Sequence, residues 1–181
     1  MAQSKQLNQG MNLTGSSPEV CSGASISFQD AMSCLASGVA VVACTEAEHP
    51  RGLLVSSLTP LSADPPSVLF CVRKAASCYE ALSKADRCSI AILSEAQQAE
   101  AERFSRIDRF NERFCSPSWT RAIGEPPEFT AALVSIVGRI DKTIDAGTHG
   151  IMIVNIERMS QRLSDPLIYF NRRYQRLSLN G

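Results

Sequence analysis

The run Gly52-Leu53-Leu54-Val55-Ser56-Ser57-Leu58-Thr59-Pro60-Leu61-Ser62-Ala63-Asp64-Pro65-Pro66 decides how the rest of the chain is read. It opens with apolar residues of strand type and then carries hydroxyls at Ser56, Ser57, Thr59 and Ser62. The proline pair closes it, because proline cannot donate to a sheet ladder. The pattern predicts one strand over 53–62 and a second, buried strand over 67–72. Strands joined by so short a turn run antiparallel, since a parallel crossover needs a dozen residues or more.

Working outward, His49-Pro50-Arg51-Gly52 reads as a turn, preceded by the β-branched, apolar strand Val39–Thr45. Ser27-Phe28-Gln29-Asp30 has the form of a helix entrance, with a hydroxyl cap and an acid three residues on. That helix is expected to carry Phe28, Met32 and Leu35 on one face and to stop at Gly38. Downstream the expectations are a helix over Ser77–Lys84, a strand over Arg87–Leu93, a helix over Glu95–Ser105 and a helical turn over Asp108–Phe114. Cys115–Pro127, with three prolines, a glycine and the only tryptophan, reads as a loop. Ala131–Asp145, His149–Met159 and Leu167–Asn171 read as strands, with turns at Gly147 and Asp165-Pro166. Helices and strands do not alternate regularly, which points to a mostly antiparallel sheet or barrel with a few helices. Residues 1–25 are polar and read as a tail, with Met11 as an internal start, and 26–181 as one domain.

The chain has 181 residues, with 18 Lys+Arg against 18 Asp+Glu. A net charge of zero offers no overall attraction to nucleic acid or to an anionic membrane. No stretch approaches the ~18 consecutive apolar residues of a membrane span. The seven cysteines, Cys21, Cys34, Cys44, Cys71, Cys78, Cys88 and Cys115, are odd in number and form no C-x-x-C pair. They read as small buried thiols in a reducing cytoplasm, with no metal site and no disulfide framework.

Chemistry-bearing motifs are sparse. Only His49 and His149 could serve as an imidazole base, and G-x-S-x-G, G-x-G-x-x-G and the Walker loop are all absent. What remains is the hydroxyl-rich run, whose side chains and proline-freed backbone offer donors and acceptors to the edge of a planar heterocycle. Arg73-Lys74-Ala75-Ala76-Ser77 follows, where cations and free N–H groups could converge on a phosphate. The alternative is a solvent-facing Ser/Thr strand followed by a capped helix. His149, in Ala146-Gly147-Thr148-His149-Gly150, is equally compatible with a turn histidine satisfied by backbone.

Taken in order, these segments resemble the flavin reductase family with the FMN-binding split-barrel fold, nearest to the reductase components of two-component aromatic monooxygenases of the 4-hydroxyphenylacetate type. The resemblance is carried by Phe28-x-x-Ala31-Met32, Gly38-Val39, Val41-Val42, the run Gly52–Pro66, Ala91-Ile92-Leu93, Arg103-Phe104-Ser105, Arg109-Phe110, Gly147-Thr148-His149 and Pro166–Tyr174. It spans about residues 27–177. It implies a six-stranded antiparallel Greek-key barrel, a homodimer, and transfer of hydride from NADH or NADPH to FMN or FAD for a separate monooxygenase. A non-catalytic flavin- or haem-binding carrier or sensor on the same barrel is the alternative. The implied flavin contacts are Val55, Ser56, Ser57, Leu58, Thr59 and Ser62 along the ring, with Arg73, Lys74, Ala75, Ser77, Cys78, Arg103 and Phe104 toward the phosphate. His149, Arg172, Arg173 and Tyr174 fall on the nicotinamide side, with His149 as an orienting contact. Relatives tend to carry serine at the position of Ala76 or Cys78; here the hydroxyl is on Ser77 between them.

Overall fold

The computed structural model describes residues 25–177, so the expected tail lies almost wholly outside the described residues. In chain order the elements are α1 (Phe28–Ser33), β1 (Ser37–Gly38), β2 (Ala40–Glu46), β3 (His49–Val55), β4 (Thr59–Ala63), β5 (Pro66–Arg73), α2 (Tyr79–Lys84) and β6 (Arg87–Ile92). A 3-10 turn then leads into α3 (Gln98–Ser105), followed by β7 (Trp119–Thr120), β8 (Glu128–Phe129), β9 (Val134–Ala146), β10 (His149–Gln161), β11 (Ile168–Phe170) and β12 (Arg173–Gln175). No helix among the described residues is long and apolar enough to cross a membrane.

The main sheet has seven strands in the order β3-β2-β6-β9-β10-β5-β4, every pair antiparallel. β3 and β4 therefore lie at opposite edges, yet residues 56–58 alone join them. Laid flat, seven strands at about 4.8 Å would set those edges roughly 29 Å apart. The link from Val55 to Thr59 reaches at most about 14 Å. The sheet is thus forced to roll up, the second of the two forms, sheet or barrel, that the short turns left open. It has seven strands, not six, because the expected strand 53–62 breaks at Ser56–Leu58 into β3 and β4.

The turn expected at His49–Gly52 lies instead at Ala47 and Glu48, both at positive φ (45° and 68°), and His49–Gly52 belong to β3. A two-residue hairpin that pairs Glu46 with His49 needs that geometry. Pro50 is tolerated because β3 is an edge strand. A second hairpin of the same kind, turning at Asn171 and Arg172 (φ 48° and 60°), joins β11 to β12 and ends the expected strand 167–171 one residue early. The expected loop 115–127 holds β7, which pairs Trp119 with Phe129.

β2 explains its own unbroken apolar run by being covered on both faces. Ala40, Val42 and Cys44 face the barrel interior with Val55, Phe70, Ile90 and Met152, and α2 adds Leu82. Val39, Val41 and Ala43 face a second core outside the barrel, made by Leu93, Ala101, Phe104, Phe114, Trp119 and Phe129. The site is built where these two cores meet.

Candidate active site

The outer core is an aromatic stack. Phe104 meets Phe114 edge-on with centroids 4.9 Å apart, Phe114 meets Trp119 at 4.8 Å, and Trp119 meets Phe129 at 5.0 Å. Buried Glu100 pins it by accepting from Trp119 Nε1 at 2.7 Å and from Arg103. The stack lies against β3 at Gly52, where a Cβ would come within 2.9 Å of both Phe114 Cζ and the Val42 carbonyl oxygen. Gly52 thus lets the two aromatic rings close down on the strand that lines the site.

Beside this stack opens a cleft of about 720 Å³, within the range of small-molecule and cofactor pockets. Its floor is the end of β3, one wall is the turn after β5, another is the end of α3 with the segment after it, and the β11–β12 hairpin closes the rim. Arg73, Arg113 and Arg172 line it, and no Asp or Glu does among the described residues. In the turn, Lys74 N–H donates to Thr148 C=O at 2.9 Å and Ala76 N–H to Arg73 C=O at 2.9 Å, leaving the N–H groups of Ala75 and Ser77 without a backbone partner among the described residues. Tyr169 and Tyr174 pair edge-on at 5.5 Å on the rim. Burial pushes the Tyr174 phenol above its ordinary range, partly offset by a hydrogen bond with Ser105.

Of the residues singled out from the sequence, Val55, Ser56, Arg73, Ala75, Ser77, Cys78, Phe104, Arg172 and Tyr174 are brought together in the cleft wall. The others are employed elsewhere. The Ser57 hydroxyl accepts from Cys71 N–H at 2.9 Å and donates to Cys71 C=O at 3.3 Å, standing in for the missing strand backbone beside β5. Leu58 and Ser62 line a separate apolar groove, and Thr59 is exposed and donates to the Ser57 carbonyl at 3.5 Å. Lys74 pairs with Asp145 at 2.6 Å, and Arg103 is held by Glu100. Arg173 is exposed opposite Phe170. His149 is half-buried beside the cleft, opposite Arg73 in the β5–β10 register, and its Nδ1 lies 2.9 Å from Thr148 Oγ1. Directly opposed residues of antiparallel strands share a sheet face, so His149 and Arg73 point the same way.

Cys78 sits in the wall but is buried, and the loss of water pushes its thiol up to about 11. Cys44 and Cys88, in the barrel interior, are pushed up to about 12 for the same reason.

The residue sequence reasoning missed is Arg113. Its Nη1 donates to Gly52 C=O at 3.0 Å and its Nη2 to Arg106 C=O at 3.2 Å. Its guanidinium lies 5.1 Å from the Phe110 ring centroid and 5.7 Å from that of Phe104. Among the described residues it has no carboxylate partner and its Nε is the one buried side-chain N or O atom without a hydrogen bond, and burial pulls it below the usual arginine range. The signal was present in the Arg-Phe pairs at 103–104, 109–110 and 113–114, but the sequence does not say which arginine faces the cleft.

A rolled antiparallel sheet with a half-apolar, arginine-lined, carboxylate-free cleft defines a binder of an aromatic ligand that carries negative charge. The model of the flavin reductase like domain matches residues 32–178, and the chain belongs to that family. An FMN reductase (NADH) RutF of Methylorubrum extorquens is 30% identical over 151 residues, 83% of this chain and 74% of that one. A putative flavin reductase of Haemophilus somnus superposes with a TM-score of 0.78 at 29% identity, covering 83% of this chain and 97% of the other. The flavin reductase of the styrene monooxygenase system of Pseudomonas putida S12 superposes with a TM-score of 0.75 at 25% identity, covering 86% and 99%.

Proposed function

We propose that this chain is an NADH-dependent flavin reductase that binds FMN or FAD in the arginine-lined cleft and supplies reduced flavin to a separate monooxygenase. The observation that carries the reading is the cleft's charge: three arginines in a lining without a carboxylate among the described residues, around an aromatic-sized space in a member of this family. Of the three, only Arg172 is paired among the described residues, with Asp30 outside the lining. The named relatives support NADH as donor and a monooxygenase as consumer. When bound, the flavin supplies the chemistry, accepting hydride from the reduced nicotinamide, so the protein has only to position the two rings.

In this reading Val55 and Ser56 lie under the ring system, with Leu53 and Leu54 supplying apolar floor. The free N–H groups of Ala75 and Ser77, the Ser77 hydroxyl and the cleft's arginines receive the phosphate. His149 orients the nicotinamide from the neighbouring strand face, and Arg172 and Tyr174 close that side. No side chain has to act as nucleophile or strong acid, which suits a site without one. We read the barrel as the family's Greek-key split barrel, with the break at Ser56–Leu58 adding a strand. A cytoplasmic location and a homodimer complete the proposal, the dimer supported by the exposed apolar side chains of Phe28 and Met32 on α1 and of Leu35 just after it.

The test is flavin-dependent loss of NADH absorbance with purified protein and either FMN or FAD. Turnover is expected with both, and its absence in the presence of bound flavin would favour the carrier reading. His149→Ala is expected to raise the KM for NADH while leaving the flavin Kd within about twofold. Equal loss of both would remove His149 from the nicotinamide side. Sedimentation at micromolar concentration tests the dimer.

A further inference from the structure

We propose that Tyr79 is a positioning residue: seated on Gly150, its ring sets the spacing between the turn that grips the flavin and the strand end that carries His149. This rests on the flavin reading of the cleft and assigns a residue outside its wall.

Hydride passes only between rings held close and aligned, and a misplacement of about 1 Å can cost roughly a hundredfold in rate. In this chain the two grips come from different elements. The turn 74–78 lies between β5 and α2, whereas His149 begins β10. Sheet pairing joins them only as far as Arg73 opposite His149. Beyond it, Lys74 N–H donates to Thr148 C=O and fixes the start of the turn. The Lys74–Asp145 ion pair adds little, because its side chains are 35% and 75% exposed and water screens it. Tyr79 fixes the end of the turn. Its N–H donates to Ala76 C=O at 2.9 Å, and its half-buried ring packs against the barrel core.

The ring's seat is Gly150. A Cβ there would lie 2.8 Å from Tyr79 Cε2, 3.0 Å from Oη and 3.3 Å from Cζ. Gly150 is not at positive φ, so its backbone conformation does not call for glycine; the close approach of the ring does. Gly150 stands opposite buried Val72, and His149 stands opposite Arg73. Successive residues of a strand face opposite sides of the sheet. The Tyr79 ring therefore bears on the inner side of the backbone whose outer side carries His149. Tyr79 does not line the cleft, so it acts through that backbone and through the turn.

The experiment follows anaerobic hydride transfer by stopped flow, with NADH and FMN both saturating, in the full chain and three variants. Deuterium at nicotinamide C4 confirms the step by its isotope effect. Gly150→Ala drives a methyl into the ring and should slow the step about tenfold. Tyr79→Leu removes the ring from its seat and should slow it about fivefold or more. Leucine lacks the ring atoms that the methyl strikes, so the double variant should be no slower than Tyr79→Leu alone. The FMN Kd should stay within about threefold throughout. Effects that multiply in the double variant would overturn the proposal, as would an unchanged rate in either single variant. So would a slowing that more FMN abolishes, which would make Tyr79 part of the scaffold alone. If Gly150→Ala does not fold, Tyr79→Leu decides by its rate at saturation. An unsubstituted chain that neither binds FMN nor oxidises NADH would instead refute the flavin reading itself.

Discussion

Two concavities of opposite character draw on one stretch of sequence. The cleft takes Val55 and Ser56, whereas an apolar groove of about 390 Å³ takes Leu58, Pro60 and Ser62 from the same run. They share only Val39. The cleft gathers three arginines; the groove has no charged residue among the described residues and is lined by such residues as Val68, Ile92, Ile136 and Ile156. What separates them is the three-residue break where the chain crosses from one edge of the sheet to the other. Each concavity takes both apolar and hydroxyl residues from that run, so the division of labour comes from the barrel wall.

The comparison breaks most severely if the aromatic stack behind the cleft is loosened. Glu100→Ala would leave the Trp119 indole N–H and the Arg103 guanidinium without their acceptor. It should cost about 2–4 kcal/mol in denaturant unfolding, below the full buried-pair figure because Arg103 is partly solvated. Gly52→Ala forces a Cβ against Phe114 and the Val42 carbonyl, and should cost about 2–3 kcal/mol, lowering Tm by roughly 4–12 °C. It should also weaken FMN binding, since Arg113 is held by the Gly52 carbonyl.

A gentler pair of substitutions separates the two concavities directly. Ser56→Leu should narrow the cleft and raise the FMN Kd about tenfold, an overpacking cost of about 1–3 kcal/mol. Leu58→Ser should leave that Kd within about twofold. Titration of both with FMN checks the assignment, and a large effect of Leu58→Ser would merge the groove with the site.

The thiols give a pH-dependent check. Cys44, Cys78 and Cys88 are raised from an ordinary value near 9 to about 12, 11 and 12. Unfolding exposes them, so between those values the folded state holds more protons than the unfolded one. Stability should therefore be insensitive to these thiols below pH 9 and should fall as pH rises from 9 toward 12. Urea midpoints across that range test it. At pH 8 the native chain should be alkylated at exposed Cys34 and Cys115 and spared at Cys78, read by peptide mass. Cys78, though in the cleft wall, then behaves as core.

The smallest effect is expected at the rim. Asp30 is exposed and held below the usual carboxylate range by hydrogen bonds from Ser27 and then Arg172. Asp30→Asn should leave Tm unchanged, because exposed ion pairs are screened by water and salt. A change in NADH KM on that substitution would show that the pair sets the position of Arg172.

Much of this was legible along the chain. The antiparallel class followed from short turns, β2 and β5 from their apolar runs, and the helix after Arg73–Ser77 from the sequence that follows that cationic stretch, though it begins at Tyr79 and not at Ser77. The hairpin at Ala47-Glu48 was hidden, because Pro50 and Gly52 carry the stronger local turn signal and only pairing across β2 and β3 overrides it. Ser57 looked like a ligand contact because a hydroxyl that replaces strand backbone reads the same as one that awaits a ring. Arg103 and Arg113 are alike in sequence, each preceding a phenylalanine, and Glu100 removes the first from the cleft through a contact one helical turn away.

The sequence by itself determined the class of fold, the family and the stretches that meet at the site, because periodicity, turn chemistry and motif order are local properties. Tertiary structure alone decided which hydroxyl faces the cleft, which arginine lacks an anion among the described residues and which cysteine is shielded. Those depend on what stands opposite each side chain across the rolled sheet, and desolvation and charge pairing are set there.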